Sequence, residues 1–128
     1  MSQKRIFISH SAGDREWVQA FAASLQAQGA SVWLDELKIG PGERLEEAIE
    51  KGLRDSDVVA FVITPDHMKG PDLLFELGAA VGMGKRAVPI ISQDVAISEL
   101  PYPLRVRRFL PRESPEETAR KLVAETAA

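Results

Sequence analysis

Apolar residues along this chain follow two rhythms. Arg5–Ser9, Ser31–Leu34, Asp57–Ile63 and Arg86–Ile91 are short, nearly continuous apolar or β-branched runs, and the stretches between them repeat with a helical period. Continuous apolar strands separated by helices predict a parallel sheet covered on both faces, wound by right-handed βαβ crossovers. The first helix is expected from about Asp14 to Gln28. There Trp17, Phe21 and Leu25 recur at i, i+4, i+8 beside Val18, with Asp14 as N-cap and Gly29 as the stop. The second is expected from about Glu43 to Arg54, on Leu45, Ile49 and Leu53. Its first turns hold Glu43, Glu46 and Glu47, where the helix dipole favours anions. A third starts near Gly70-Pro71-Asp72 and ends near Gly84; a fourth opens at Ser114-Pro115 and ends near Thr126. Leu104–Leu110 is the candidate fifth, edge strand. Pro89 sits inside the fourth apolar run, where an interior strand wants that N–H.

Composition narrows the function classes. The 128 residues suit one domain, 1–128, and 45% hydrophobic with 27% charged is ordinary for a soluble globular protein. The absence of cysteine excludes a disulfide scaffold, a zinc–thiolate site, an iron–sulfur cluster and a Cys nucleophile. Two histidines argue against a His-rich metal site, and no metal is expected. A net charge of −3 lacks the basic excess of a nucleic-acid groove binder. No apolar run approaches the ~20 residues that span a bilayer, and the N-terminus MSQKRIFISHS has no secretory core. A soluble, cytoplasmic protein without nucleic-acid or membrane partners is the expectation.

Glu76 is the residue least suited to a bland helix. Leu73, Leu74, Leu77, Ala80 and Val81 form one apolar arc at 100° per residue. Glu76 falls at its edge, beside Asp72, Ala79 and Met83, and is expected to be half buried near the carboxyl ends of the strands. A carboxylate there is either paired or used, or else a solvated helix-edge residue near a helix N-terminus. Ser9, His10 and Ser11 leave the first strand at that same end, and Asp35 leaves the second. Ligands of open α/β sheets bind there, although turn and capping chemistry also explains each of these residues singly. Phosphate-binding and nucleophile signatures are missing: no GxxxxGK[ST], no GxGxxG after the first strand and no GxSxG elbow. A phosphoryl-accepting receiver would need an acidic pair after the first strand and an Asp after the third. The chain has Ser9-His10 and Ile63-Thr64-Pro65 there.

Three blocks together resemble a TIR (Toll/interleukin-1 receptor) domain of the bacterial kind. Phe7-Ile8-Ser9-His10-Ser11 with Asp14 is similar to the family's first box. Val32-Trp33-Leu34-Asp35 through Ile39-Gly40-Pro41-Gly42 resembles its second strand and BB loop. Phe75-Glu76-Leu77-Gly78-Ala79-Ala80 with Gly84-Lys85 resembles the helix bearing its acidic residue. The resemblance implies a flavodoxin-like, five-stranded parallel sheet of order 2-1-3-4-5. It also implies one of two functions: assembly with other TIR domains alone, or cleavage of NAD⁺ to nicotinamide and ADP-ribose or a cyclised form, in a signalling or defence system. In cleaving members one glutamate is essential, and by motif position it is Glu76.

NAD⁺ would then be the substrate and no cofactor would be needed. Ser9, His10, Ser11, Asp35 and Asp72 would be the substrate-binding candidates. Nicotinamide leaves as a neutral group from a cation, so one carboxylate suffices to stabilise the oxocarbenium-like ribose. Burial against Leu73, Leu77 and Phe75 would strengthen its field. Many family members carry Trp one helical turn before the Glu, where this chain has Asp72, which either caps the helix or raises the glutamate's pKa. The same block also resembles nucleoside deoxyribosyltransferases, which break N-glycosidic bonds too. The loop from Glu36 to Gly42 presents Leu37, Ile39 and Pro41. The resemblance points to self-association through it, against the alternative that Ile39 staples the second helix.

Overall fold

The computed structural model describes residues 4–34, 45–70 and 72–127. Five strands, β1 (Arg5–Ser9), β2 (Ser31–Leu34), β3 (Val58–Ile63), β4 (Arg86–Ile91) and β5 (Leu110–Pro111), form one sheet of order β2-β1-β3-β4-β5. Every pairing is parallel. This is the flavodoxin-like order expected from the sequence. The helices are α1 (Arg15–Ala27), α2 (Leu45–Arg54), α3 (Pro65–Lys69), α4 (Asp72–Gly82), α5 (Tyr102–Arg105) and α6 (Pro115–Glu125). No helix among the described residues is long and apolar enough to cross a membrane.

Strand periodicity divides the core into two layers. Ile6 and Ile8 of β1, Val58, Ala60 and Val62 of β3, and Val88 and Ile90 of β4 pack with Val18, Phe21 and Leu25 of α1 and Leu122 of α6. The alternate residues Phe7, Val59, Phe61, Ile63, Ala87 and Ile91 pack with Ile49 and Leu53 of α2 and Leu73, Leu77 and Ala80 of α4. A strand apolar at every position is what a sheet buried on both faces requires.

One expectation needed correction. Leu104–Leu110 is not a strand. Leu104 lies on α5, and β5 begins only at Leu110. Residues six apart on one strand share a face, whereas Leu104 packs in the α2/α4 layer and Leu110 in the α1/α6 layer. Pro101 and Pro103 favour the helical turn at this point. Pro89 does sit inside β4, opposite Phe61 of β3. β5 pairs with β4 only at Ile90 and Ile91, so β4 has no neighbour on that side at Pro89.

The indole of Trp33 stacks on Phe7 with ring centroids 4.7 Å apart and an interplanar angle of 11°. A Cβ on Gly52 of α2 would stand 2.6 Å from Cδ2 and Cε2 of that pinned ring. Helix propensity favours alanine over glycine by about 1 kcal/mol, but overpacking costs about 1–3 kcal/mol. Gly52→Ala is therefore expected to lower the unfolding free energy by about 1–2 kcal/mol. Gly78→Ala on α4, where a Cβ meets nothing within 4 Å, should raise it by up to about 1 kcal/mol. Urea denaturation of both variants checks this; equal gains for the two would mean that the Trp33 ring is not fixed.

Candidate functional site

Strand parity and helix periodicity aim two polar residues at each other. Ser9 ends β1 on the same face as Phe7, the face covered by α4. On α4 the buried residues are Leu73, Glu76, Leu77 and Ala80, the i, i+3, i+4, i+7 stripe of a core-facing helix. Glu76 thus lies inside the apolar stripe and is 0% exposed. The expected arc was rotated by one residue. Leu74 is 65% and Phe75 43% exposed, so Phe75 does not bury the glutamate, and Val81 is also exposed.

The Ser9 Oγ, itself fully buried, donates to Glu76 Oε1 at 2.5 Å, in the range of charge-assisted O–H···O⁻ bonds. His67 Nε2 lies 2.8 Å from the same Oγ. Thr64 positions His67. It N-caps α3, its Oγ1 accepting from His67 N at 3.3 Å, with Pro65 in the first turn. The Thr64 hydroxyl donates in turn to Asp14 Oδ2 at 2.7 Å. Asp14 Oδ2 also accepts from Ser11 Oγ at 2.7 Å, and Arg112 Nη1 reaches Oδ1 at 3.3 Å. The Arg112 guanidinium lies over the Trp17 ring, 4.6 Å from its centroid.

Burial drives the His67 imidazole down to about 4; His10 acts in the same direction and Asp14 against it. His67 is therefore neutral at physiological pH. Burial alone would raise the Asp14 carboxyl. The hydrogen bonds from Thr64 and Ser11 and the Arg112 charge outweigh it and hold Asp14 below its ordinary value. Among the described residues, no group of three His, Asp or Glu side chains is placed to hold a metal ion. A cavity of about 300 Å³ lies at the other end of the sheet, lined by Lys85, Arg86, Arg107, Arg108, Phe109 and Glu125. There Arg86 and Arg108 are engaged by the Glu125 backbone oxygen and carboxylate.

The sequence profile of the TIR domain family matches residues 6–123. The chain belongs to the TIR domain family. It is 36% identical over 77 residues to the 2' cyclic ADP-D-ribose synthase AbTIR of Acinetobacter baumannii, a match covering 59% of this chain and 29% of that protein. It is 40% identical over 65 residues to the NAD(+) hydrolase PdTIR of Paracoccus denitrificans, covering 50% of this chain and 22% of that protein. The matches thus span less than a third of either relative. Among solved structures, the TIR domain of the Toll-related receptor TRR-2 from Hydra magnipapillata superposes with a TM-score of 0.74 at 20% identity, over 95% of this chain and 93% of that one. That likeness concerns the fold.

Of the residues singled out in the sequence, this TIR domain brings Ser9 and Glu76 into direct contact. His10 is buried at the end of β1, its Nδ1 3.3 Å from the Ile8 carbonyl oxygen. Ser11 turns to Asp14 instead of toward Glu76. Asp14 does stand at the N-cap of α1, but its side chain makes no cap bond there. Asp72 begins α4, exposed in its first turn. Asp35 and the loop residues Leu37, Ile39 and Pro41 lie outside the described residues. His67, Thr64 and Arg112 were not anticipated. The local signal for Thr64 and His67 was Thr64-Pro65, an N-cap followed by proline.

His67 links pH to stability. Its value is about 4 folded against an ordinary 6.5, so the unfolded chain binds the extra proton between those values. The contribution is complete above pH 6.5 and is lost as the pH falls toward 4, amounting to ~3 kcal/mol for a shift of this size. His67→Gln should flatten the fall in unfolding free energy between pH 6.5 and 4, as measured by urea titration at fixed ionic strength. An unchanged slope would mean that the imidazole titrates normally.

Proposed function

We propose that this TIR domain cleaves the nicotinamide–ribose bond of NAD⁺, with Glu76 acting on the ribose. The observation that carries this is a wholly buried carboxylate at the carboxyl end of a parallel sheet, accepting a short hydroxyl bond from Ser9. The relatives from Acinetobacter and Paracoccus, named for cyclic ADP-ribose synthesis and NAD⁺ hydrolysis, support the choice of substrate.

In this reaction the C1′–N bond breaks with its electron pair passing to the nicotinamide nitrogen. That nitrogen is cationic in the substrate and leaves neutral, so no general acid is required. Positive charge builds on C1′ and the ring oxygen of the ribose. A fixed carboxylate in an apolar setting stabilises that charge more than the ground state, which is the condition for raising the rate. Water then adds to C1′ and loses a proton, giving ADP-ribose; addition of one of the nucleotide's own hydroxyls gives a cyclic product. NAD⁺ is consumed as substrate, and this scheme uses no resident cofactor.

Glu76→Gln is nearly isosteric and removes the charge. It should lower nicotinamide release by about 100-fold or more while leaving the thermal midpoint within a few degrees. Retention of most of the rate would overturn the assignment of Glu76. The complete burial of Glu76 also favours a second reading, a TIR domain that only assembles with its own kind. A wild type that releases no nicotinamide at any concentration would overturn NAD⁺ cleavage and favour that reading.

Because Glu76 has no exposed surface, productive binding requires the site to open. Assembly with other TIR domains through Leu37, Ile39 and Pro41 is the proposed trigger. Specific activity should then rise with protein concentration, and Ile39→Asp should abolish the rise. A flat dilution series for both proteins would show that the loop is structural.

A further inference from the structure

Ser9 stands between the two other buried polar groups. In a nucleophilic serine site the imidazole lies between the hydroxyl and the carboxylate, and so can take the hydroxyl proton. Here the order is His67–Ser9–Glu76, with 2.8 Å from Nε2 to Oγ and 2.5 Å from Oγ to Oε1. A hydroxyl has one proton and two lone pairs. With that proton given to Glu76, the contact with His67 can only be an Nε2–H donated into a Ser9 lone pair. The imidazole then cannot act as a base toward Ser9, and Ser9 is not an activated nucleophile.

We propose that His67 is a positioning residue for Glu76: its Nε2–H holds the Ser9 hydroxyl so that the hydroxyl's only proton stays directed at the carboxylate. The kinetic part of this proposal rests on the glycosidic reading of the site. All three side chains are buried, His67 at 2% exposure and the other two at 0%. Water therefore does not compete for the donors. Backbone placement supports the same role. Thr64 caps α3 through His67 N, and Asp14 holds Thr64, so the ring is delivered from a fixed turn at the end of β3. His67 does not touch the reacting atoms in this scheme. It fixes the rotamer of the serine that fixes the glutamate.

The relay does more than fill space. Without the donor, the Ser9 Oγ can rotate its proton elsewhere, and the Glu76 Oε1 loses a hydrogen bond made to its charged form. The carboxylate would then be less well placed against the ribose, and a misplacement of about 1 Å is enough to cost about 100-fold in rate. The loss should fall on kcat, because the relay orients a group whose interaction grows in the transition state.

The test compares wild type with His67→Phe, which keeps a ring without a donor, and His67→Gln, whose Nε2 keeps one. With NAD⁺ as substrate, His67→Phe should lower kcat by about 10- to 100-fold with KM changed less than about threefold. His67→Gln should recover most of that loss. A merely structural histidine would show no recovery by glutamine at matched stability, and that result overturns the proposal. A second readout is independent of turnover: long-range ¹H–¹⁵N correlation of the His67 ring at pH 7. The expected spectrum is the neutral Nε2–H tautomer, with a proton slow to exchange that becomes fast in Ser9→Ala. An Nδ1–H tautomer, or an Nε2 proton indifferent to Ser9→Ala, overturns the relay. Should the ring behave as expected while wild type releases no nicotinamide, the relay stands and the glycosidic reading falls.

Discussion

A carboxylate with no exposed surface imposes more on this domain than any other single group. Glu76 occupies a core position of α4, between Leu73 and Leu77 in the apolar stripe. An ionised carboxylate taken out of water costs several kcal/mol even after relaxation, and one hydrogen bond to a charged group recovers about 1.5–3 kcal/mol. The position is tolerable only if donors are brought to it. Ser9 can serve because β1 ends there and its parity turns the hydroxyl to the α4 side. The neighbouring residue Ile8 faces the opposite layer and could not.

Asp14 does for the loops what Ser9 does for the glutamate. Its two oxygens join Ser11, Thr64 and Arg112, which belong to the segments following β1, β3 and β5. Three connections far apart in sequence are thereby held at the carboxyl end of the sheet, where a site must be rigid to be accurate. The Arg112–Asp14 pair is mostly sheltered, with side chains 23% and 12% exposed, unlike Arg108–Glu125 at 84% and 42%. Exposed pairs of the second kind contribute little. The sheltered pair, stacked on Trp17 and fed by two hydroxyls, is the one that shapes the site.

The strands and the long helices were legible because their apolar periods run for several residues. The order of the sheet came with the family resemblance carried by the Ser9, Trp33 and Glu76 blocks. What escaped was short or distant. α3 and α5 have five and four residues, too few for a period to show. The depth of Glu76 was underestimated because a polar residue was placed at the margin of an apolar arc by its type. Its neighbours Leu73, Leu77 and Ala80 in fact define the buried stripe around it. His67 could not be linked to Ser9 from the sequence, since 58 positions separate them and only the β1–β3 pairing brings them together. Asp14 looked like a cap because Asp commonly caps helices. It stands at that position but spends its oxygens on tertiary bonds.

The charge state of His67 ties the stability of the site to its proposed chemistry. An imidazolium 2.8 Å from Ser9 would place a positive charge one residue from Glu76 and offset part of the field that an oxocarbenium-like ribose needs. Burial prevents this by holding the ring neutral down to a pH of about 4. The desolvation that makes His67 a liability in acid therefore also keeps a positive charge away from Glu76 at neutral pH. A surface-exposed histidine could supply the same Nε2–H, but it would protonate near its ordinary value and weaken the carboxylate within the physiological range. In this arrangement the apolar layer under α4 sets the electrostatics of the site as well as its position, and the two cannot be tuned apart by changing His67 alone.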